Sequence, residues 1–326
     1  MLRRPFALLF PLLLGQCLSA STPGLVSPLA PLAIRIASAP VILDGSDAAH
    51  IRTGALRFVS GWHLTSDTRA FGGLSSLDVD GNRVTAISDI GAIVRFRLGR
   101  FGNVSDARID PVPEGCGKRI EKFDGDTESL TRDAARRHWW IGFEWRNVIC
   151  RTDADLKRGE SVARPRAMAG WWVKRGAESL VALADGTFLA IAEGYPDDGP
   201  ERPAVLFDRD PTDPAARALR LRYRPPKGYS PTDVAQLPDG RLIVLNRRFT
   251  PIALFTSKLV LIDNGPLVAG RILKGRTIAT LAPPLIADNF EGIAVTTEGG
   301  KPHVWLASDD NFMRWQRTLL LKFALD

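Results

Sequence analysis

Residues 177–195 read AESLVALADGTFLAIAEGY: a glutamate, an apolar run, Asp185-Gly186, a second apolar run and a second glutamate. Asp-Gly between two alternating apolar runs predicts a tight β-hairpin, because glycine accepts the positive φ that such a turn needs. In a hairpin the start of the first strand lies beside the end of the second, so Glu178 and Glu193 are expected at one rim. Four other stretches follow the same plan: FGGLSSLDVDGNRVTAISDIG (71–91), TESLTRDAARRHWWIGFEW (127–145), TDVAQLPDGRLIVLNRRF (232–249) and FEGIAVTTEGGKPHVWLASDDNF (290–312). Their turns are Asp80-Gly81, Asp133 to Arg136, Asp239-Gly240 and Gly299-Gly300.

Aligned by their first polar residue, the copies start at Ser75, Glu128, Glu178, Asp233 and Glu291. A period of roughly 50 to 60 residues, with strand pairs in every unit and no convincing helical stretch, is the signature of propeller blades. The expected fold is all-β, a five-bladed β-propeller, with six blades left open by the residues outside the repeats. Too few residues follow Glu291 to complete a blade. The N-terminal stretches Leu32 to Ile36 and Ala55 to Leu64 are therefore expected to supply its outer strands and close the ring.

Rotation about a propeller axis gathers the rim pairs round one channel mouth. Those pairs are Ser75 with Asp89, Glu128 with Glu144, Glu178 with Glu193, Asp233 with Asn246, and Glu291 with Asp309 and Asp310. Crowded carboxylates repel one another, and cations, hydrogen-bond donors or raised pKa values relieve the repulsion. Each anchor can also serve structure, accepting N–H bonds from a neighbouring blade. As metal ligands the candidates are Asp89, Glu128, Glu144, Glu178, Glu193, Asp233, Glu291 and Asp309. An all-oxygen set favours calcium or magnesium over zinc or copper. Among these, Glu128, Glu178, Asp233 and Glu291 are also catalytic candidates, with Arg247 and Arg248 as the cations that would steady an anionic substrate. Arg146, Lys174, Arg175 and Arg314 lie nearby in sequence, as do the aromatics Trp145, Trp171, Trp172, Tyr195, Tyr229, Phe249, Phe290, Phe312 and Trp315, which are expected to pack between blades. No G-x-S-x-G elbow is present, and the few histidines disfavour a Ser-His-Asp triad.

The first 20 residues, MLRRPFALLFPLLLGQCLSA, have the layout of a signal peptide, with two arginines, a short apolar run and small residues. This predicts a mature propeller over 21–326 that is periplasmic or secreted, by either the general or the twin-arginine route. Export would let Cys116 and Cys150 pair; two separate buried thiols fit the sequence equally well. The formal charge of +7 falls to +5 without Arg3 and Arg4, and no long run of like charge occurs, so no nucleic-acid partner is expected. Zinc sites built from Cys and His pairs are excluded by three Cys and four His. No organic cofactor, no stable membrane span and a monomer are expected.

The chain resembles the bacterial phytase-like proteins described as having esterase-like activity of phytase. The resemblance rests on Phe71-Gly72-Gly73-Leu74-Ser75, Ser88-Asp89-Ile90-Gly91, Glu128-Ser129-Leu130, Glu178-Ser179-Leu180 with Glu193-Gly194, Ser230-Pro231-Thr232-Asp233 through Arg247-Arg248-Phe249, and Asn289-Phe290-Glu291-Gly292 with Ser308-Asp309-Asp310-Asn311. It covers nearly all of 55–326. It implies a β-propeller, export, and hydrolysis of a small anionic phosphate or carboxylic ester, with calcium dependence of the kind found in alkaline phytases.

Overall fold

The structure, a computed structural model, describes residues 30–116, 126–144, 147–172, 175–194 and 199–326. Five sheets stand round a channel, antiparallel except where the short strand Ile272–Leu273 pairs in parallel with the edge strand Ala218–Tyr223. From inner to outer strand, blade 1 is Leu74–Asp80, Arg83–Ser88, Ala92–Leu98 and Val104–Pro111. Blade 2 is Thr127–Arg132, His138–Phe143, Val148–Asp153 and Gly159–Ala163. Blade 3 is Ala177–Ala182, Phe188–Ala192, Arg202–Phe207 and Ala218–Tyr223. Blade 4 is Ser230–Gln236, Leu242–Thr250, Leu254–Ile262 and Arg276–Leu281. Blade 5 takes Phe290–Glu298, Lys301–Ser308 and Thr318–Leu325 from the C-terminus and Leu56–Ser66 from the N-terminal part. The inner strands touch in the order 1, 2, 3, 4, 5 and back to 1, which closes the ring.

The hairpin turns behave as their chemistry requires. Gly81, Gly186 and Gly240 have φ of 58°, 86° and 89°, and blade 2, which lacks a turn glycine, places Arg136 at φ 57° instead. Alternation along each strand buries apolar residues on both faces, so the core is five wedges between adjacent blades. Leu77, Trp62 and Trp305 help fill the wedge between blades 5 and 1, and Leu245, Leu259, Ile293 and Phe323 the wedge between blades 4 and 5. Each fully buried leucine or phenylalanine contributes about 1.5–3 kcal/mol.

The closing pairing is Leu56–Ser66 against Thr318–Leu325, as the sequence predicts. The residues that left six blades open form edge strands. Ile36–Pro40 pairs with Leu56–Ser66 at the rim of blade 5, and Leu32–Ala33 crosses to the outer strand of blade 1 rather than joining the C-terminal strands. Capping an outer edge in this way satisfies backbone groups that would otherwise template another chain.

Cys116 and Cys150 form a disulfide between the loop entering blade 2 and the third strand of that blade. The sequence left this pairing open; the fold brings their Cα atoms to 5.3 Å. We expect protein lacking residues 1–20, and with them Cys17, to show no titratable thiol in denaturant. Reduction should cost about 3–4 kcal/mol, the chain-entropy value for a loop of this length; a thiol titration and a reduced melt check both.

Candidate functional site

Every inner strand carries a β-bulge near its start, and the bulged residue is the rim anchor. The register skips Ser75 in blade 1, Glu128 in blade 2, Glu178 in blade 3, Thr232 in blade 4 and Glu291 in blade 5. A bulge leaves one residue outside the ladder and re-aims its side chain. The residue that continues the neighbouring strand at this level is Asp89, Glu144, Glu193, Arg247 and Asp309 in blades 1 to 5. The mouth is thus two stacked rings that hold seven carboxylates, Ser75, Thr232 and one arginine.

Blade 4 corrects the sequence alignment. Its anchor is Thr232, and Asp233 lies one residue further on, in the layer that Ser76, Ser129, Ser179 and Gly292 form in the other blades. Inner strands converge in that layer: a Cβ on Gly292 would lie 3.1 Å from the Cα of Ser76 and 2.8 Å from a methyl of Leu77. Asp233 is 2% exposed. It accepts hydrogen bonds from Ile293 N–H at 3.0 Å, Ser76 Oγ at 3.0 Å and Val234 N–H at 2.8 Å, tying blade 4 to blades 5 and 1. Burial raises its pKa well above the usual range against these donors, and no other carboxylate contributes. Asp233 is therefore an inter-blade brace rather than a member of the acidic cluster. Asp233→Ala should cost about 3 kcal/mol, because two buried N–H groups lose their acceptor, and should leave any calcium-induced rise in melting temperature unchanged. Melts with and without calcium check this.

The cluster itself is strongly coupled. Burial, then the repulsion of Asp126, pushes Glu144 up to about 9, while its hydrogen bond with Glu178 acts the other way. Burial raises Glu128 and Glu178 well above their usual value, joined by Glu178 and Asp126 for the first and by Glu193 and Glu144 for the second. Asp89 and Asp309 are raised by burial and by the charges of Asp126 and Glu291 respectively. Glu291 is raised by burial against the attraction of Arg247.

Arg247 is the cation of the ring. Its guanidinium donates to Asn289 Oδ1 at 2.7 Å, to Glu193 Oε1 at 3.0 Å and to Glu291. Arg175 holds the other oxygen of Glu193 at 2.6 Å. Asn289 also donates to Glu291 at 3.0 Å and to Asp309 at 3.2 Å. The remaining side of the mouth is different. Asp126, Glu128 and Glu144 each present an oxygen within 4.8 Å of the others. Among the described residues no cationic side chain forms an ion pair with Glu128 or Glu144. Oxygens that far apart fit one calcium, whose ligands stand at about 2.3–2.6 Å, so this trio can hold a hard divalent cation.

Asp126 was not among the sequence candidates. It stands two residues before the anchor of blade 2, where Asn289 stands before Glu291, and that parallel is its sequence signal. Arg248 does not reach the carboxylates: one step along the strand from Arg247, it faces the other side, 4.8 Å over the ring of Tyr229. Asp310 braces blades 5 and 1 by accepting from Gly73 N–H at 2.9 Å and Thr318 Oγ1 at 2.9 Å. Of the aromatics, Phe290, Tyr229 and Trp171 are buried between blades as expected, but Trp172, Phe249 and Trp315 are exposed. Arg314 is exposed as well. Trp145, Arg146, Lys174 and Tyr195 lie outside the described residues, as does the leader over 1–20. Among the described residues no helix is long and apolar enough to cross a membrane.

Fold and mouth together define a five-bladed β-propeller with an acidic, arginine-bridged channel entrance. The chain belongs to the phytase-like family described as "Esterase-like activity of phytase", whose model matches residues 69–312. No curated protein matches the sequence. Solved structures with a similar fold include Kuenenia stuttgartiensis hydrazine synthase, at 13% identity and TM-score 0.38, covering 75% of this chain. This chain spans 58% of that one. A Bacteroides thetaiotaomicron protein of unknown function matches at 11% identity over 90% of this chain and 76% of its own, with TM-score 0.47. Cellvibrio cellulosa α-L-arabinanase matches at 11% identity over 77% and 92%, with TM-score 0.47.

Proposed function

We propose that the mouth hydrolyses a phosphoester with the help of a divalent cation, calcium by preference, held by Asp126, Glu128 and Glu144. The observation that carries this reading is the division of the mouth. Glu193 and Glu291 are paired with Arg247, whereas Glu128 and Glu144 are raised by burial and then by neighbouring carboxylates, Asp126 among them, and form no ion pair with a described cation. A bound cation would polarise the ester and lower the pKa of an attacking water. Arg247, fixed by Asn289 and two glutamates, steadies charge that develops on a phosphoryl oxygen. Glu178, raised by burial and by Glu193, would take the proton of that water as its oxygen bonds to phosphorus, and would pass it to the alcohol oxygen as the P–O bond to the leaving group breaks. Esters of carboxylic acids fit the same groups.

We further take the chain to be exported, supported by the leader-like N-terminus and by a disulfide suited to an oxidising compartment. The test is Glu178→Gln. In metal-free buffer at pH 8 the variant should melt at or above wild type, because one of several crowded charges is gone. Turnover of a phosphate-ester panel should fall at least tenfold. Lower stability in metal-free buffer, together with no calcium response in wild type, would remove the metal-assisted reading.

A further inference from the structure

Blade 4 is built unlike its neighbours above the ring. In the other blades the second strand stops just before the ring residue, at Ser88, Phe143, Ala192 and Ser308. In blade 4 it runs on through Arg248, Phe249 and Thr250, paired with Thr256, Phe255 and Leu254. The extension carries the strand pair beyond the ring residue Arg247. Side chains alternate along a strand, so Phe249 shares the sheet face of Arg247, and its cross-strand partner Phe255 shares it too. The rings of Phe249 and Phe255 lie 5.0 Å apart, and Phe255 stacks at 6.4 Å and 15° with Trp315, which comes from blade 5. Exposure is high for a packing role: 41% for Phe249 and 58% for Trp315.

We propose that this aromatic shelf receives a planar aryl group esterified to the anion held at the ring, which makes Phe249 and Trp315 specificity-determining residues. The inference rests on the ester-hydrolase reading above. Two observations select the occupant. The shelf continues the face that carries Arg247, so one ligand with an anionic end and a flat end spans both. The three rings present π-faces and edges and, apart from the Trp315 indole N–H, no hydrogen-bonding group, which suits an aryl ring better than a polyhydroxylated or polyphosphorylated one.

The test is calorimetric titration of phenylphosphonate and methylphosphonate, neither of which can be hydrolysed, with calcium present throughout. Wild type should bind phenylphosphonate about tenfold more tightly, the fold-change that one good aromatic contact supplies. Trp315→Ala and Phe249→Ala should each shrink that preference to threefold or less and leave methylphosphonate unchanged. Phe101→Ala, an exposed aromatic in the blade 1 turn after Leu98, should change neither. Equal binding of the two probes by wild type overturns the shelf and leaves the ester reading standing. Absence of binding by both overturns the two together. A wild-type dimer in sedimentation that Trp315→Ala converts to monomer would make the shelf an interface between copies and overturn the proposal as well.

Discussion

Arg247→Leu is expected to lose about 3–5 kcal/mol of stability at pH 8 in metal-free buffer, and all ester turnover. The arginine side chain is 21% exposed and bridges two glutamates that are 7% and 12% exposed. Removing one partner of such a group leaves uncompensated buried charge, which accounts for a loss of that size. Acid supplies an alternative remedy: Glu291, already raised by burial and now without Arg247, is more readily protonated at pH 5, so the loss there should be roughly half as large. Chemical denaturation at the two pH values measures both. A loss equal at pH 5 and pH 8 would mean that Arg247 acts through packing alone. The double variant Arg247→Leu with Glu291→Leu should recover at least about 1 kcal/mol relative to the single change, since it removes the stranded charge while Glu193 keeps Arg175.

The metal-free wild type should itself become less stable as pH rises. Glu144 and its neighbours bind protons more tightly in the folded state than unfolded, where a glutamate titrates near 4.5. Stability from such groups is fully present below about pH 4.5 and is lost as pH rises through the folded value of about 9 for Glu144. The slope is negative because the native state holds more protons across that window. From pH 5 to pH 9 the loss should be on the order of 3–6 kcal/mol, since every tenfold gain in proton affinity on folding is worth about 1.4 kcal/mol. Calcium competes with those protons, so its stabilisation should be near zero at pH 5 and about 2–3 kcal/mol at pH 9 when the ion is at a hundred times its dissociation constant. Thermal melts over this range with chelator or calcium give the two curves. A calcium effect independent of pH would place the ion away from the carboxylates.

The architecture was readable because hairpin chemistry is local: an Asp-Gly turn between apolar runs says where the chain reverses, whatever surrounds it. Blade 4 shows where such reading fails. The acidic Asp233 looked like the anchor because its counterparts are Glu128, Glu178 and Glu291, but a bulge shifts the register by one, and a bulge has no residue-type signature. Spacing to the turn held the answer. The same number of residues separates Glu178 from Gly186, Thr232 from Gly240 and Glu291 from Gly299. Counting from the turn instead of from the charge also aligns Arg247 with Glu193, since the same number of residues follows Gly240 and Gly186, so the arginine at the mouth was legible as a ring member. Asp126 was harder to see, because it lies before the strand, outside the repeated pair of rim positions, and joins the site only through its closeness to Glu128 and Glu144. The exposure of Phe249 and Trp315 depends on what the neighbouring blades fail to cover, and no local pattern carries that.

Closing the ring with one strand from each end of the chain sets an order in time. Leu56–Ser66 leaves the ribosome before any whole blade exists, and Thr318–Leu325, its partner, leaves after four blades are complete. Hairpins within a blade form early and cheaply, whereas this pairing spans nearly the whole described chain and waits for the last residues to be made. Until then an apolar strand with a free edge must be kept from its counterparts on other nascent chains. The arrangement that completes blade 5 in the finished protein makes its first long strand the most exposed part of every unfinished copy.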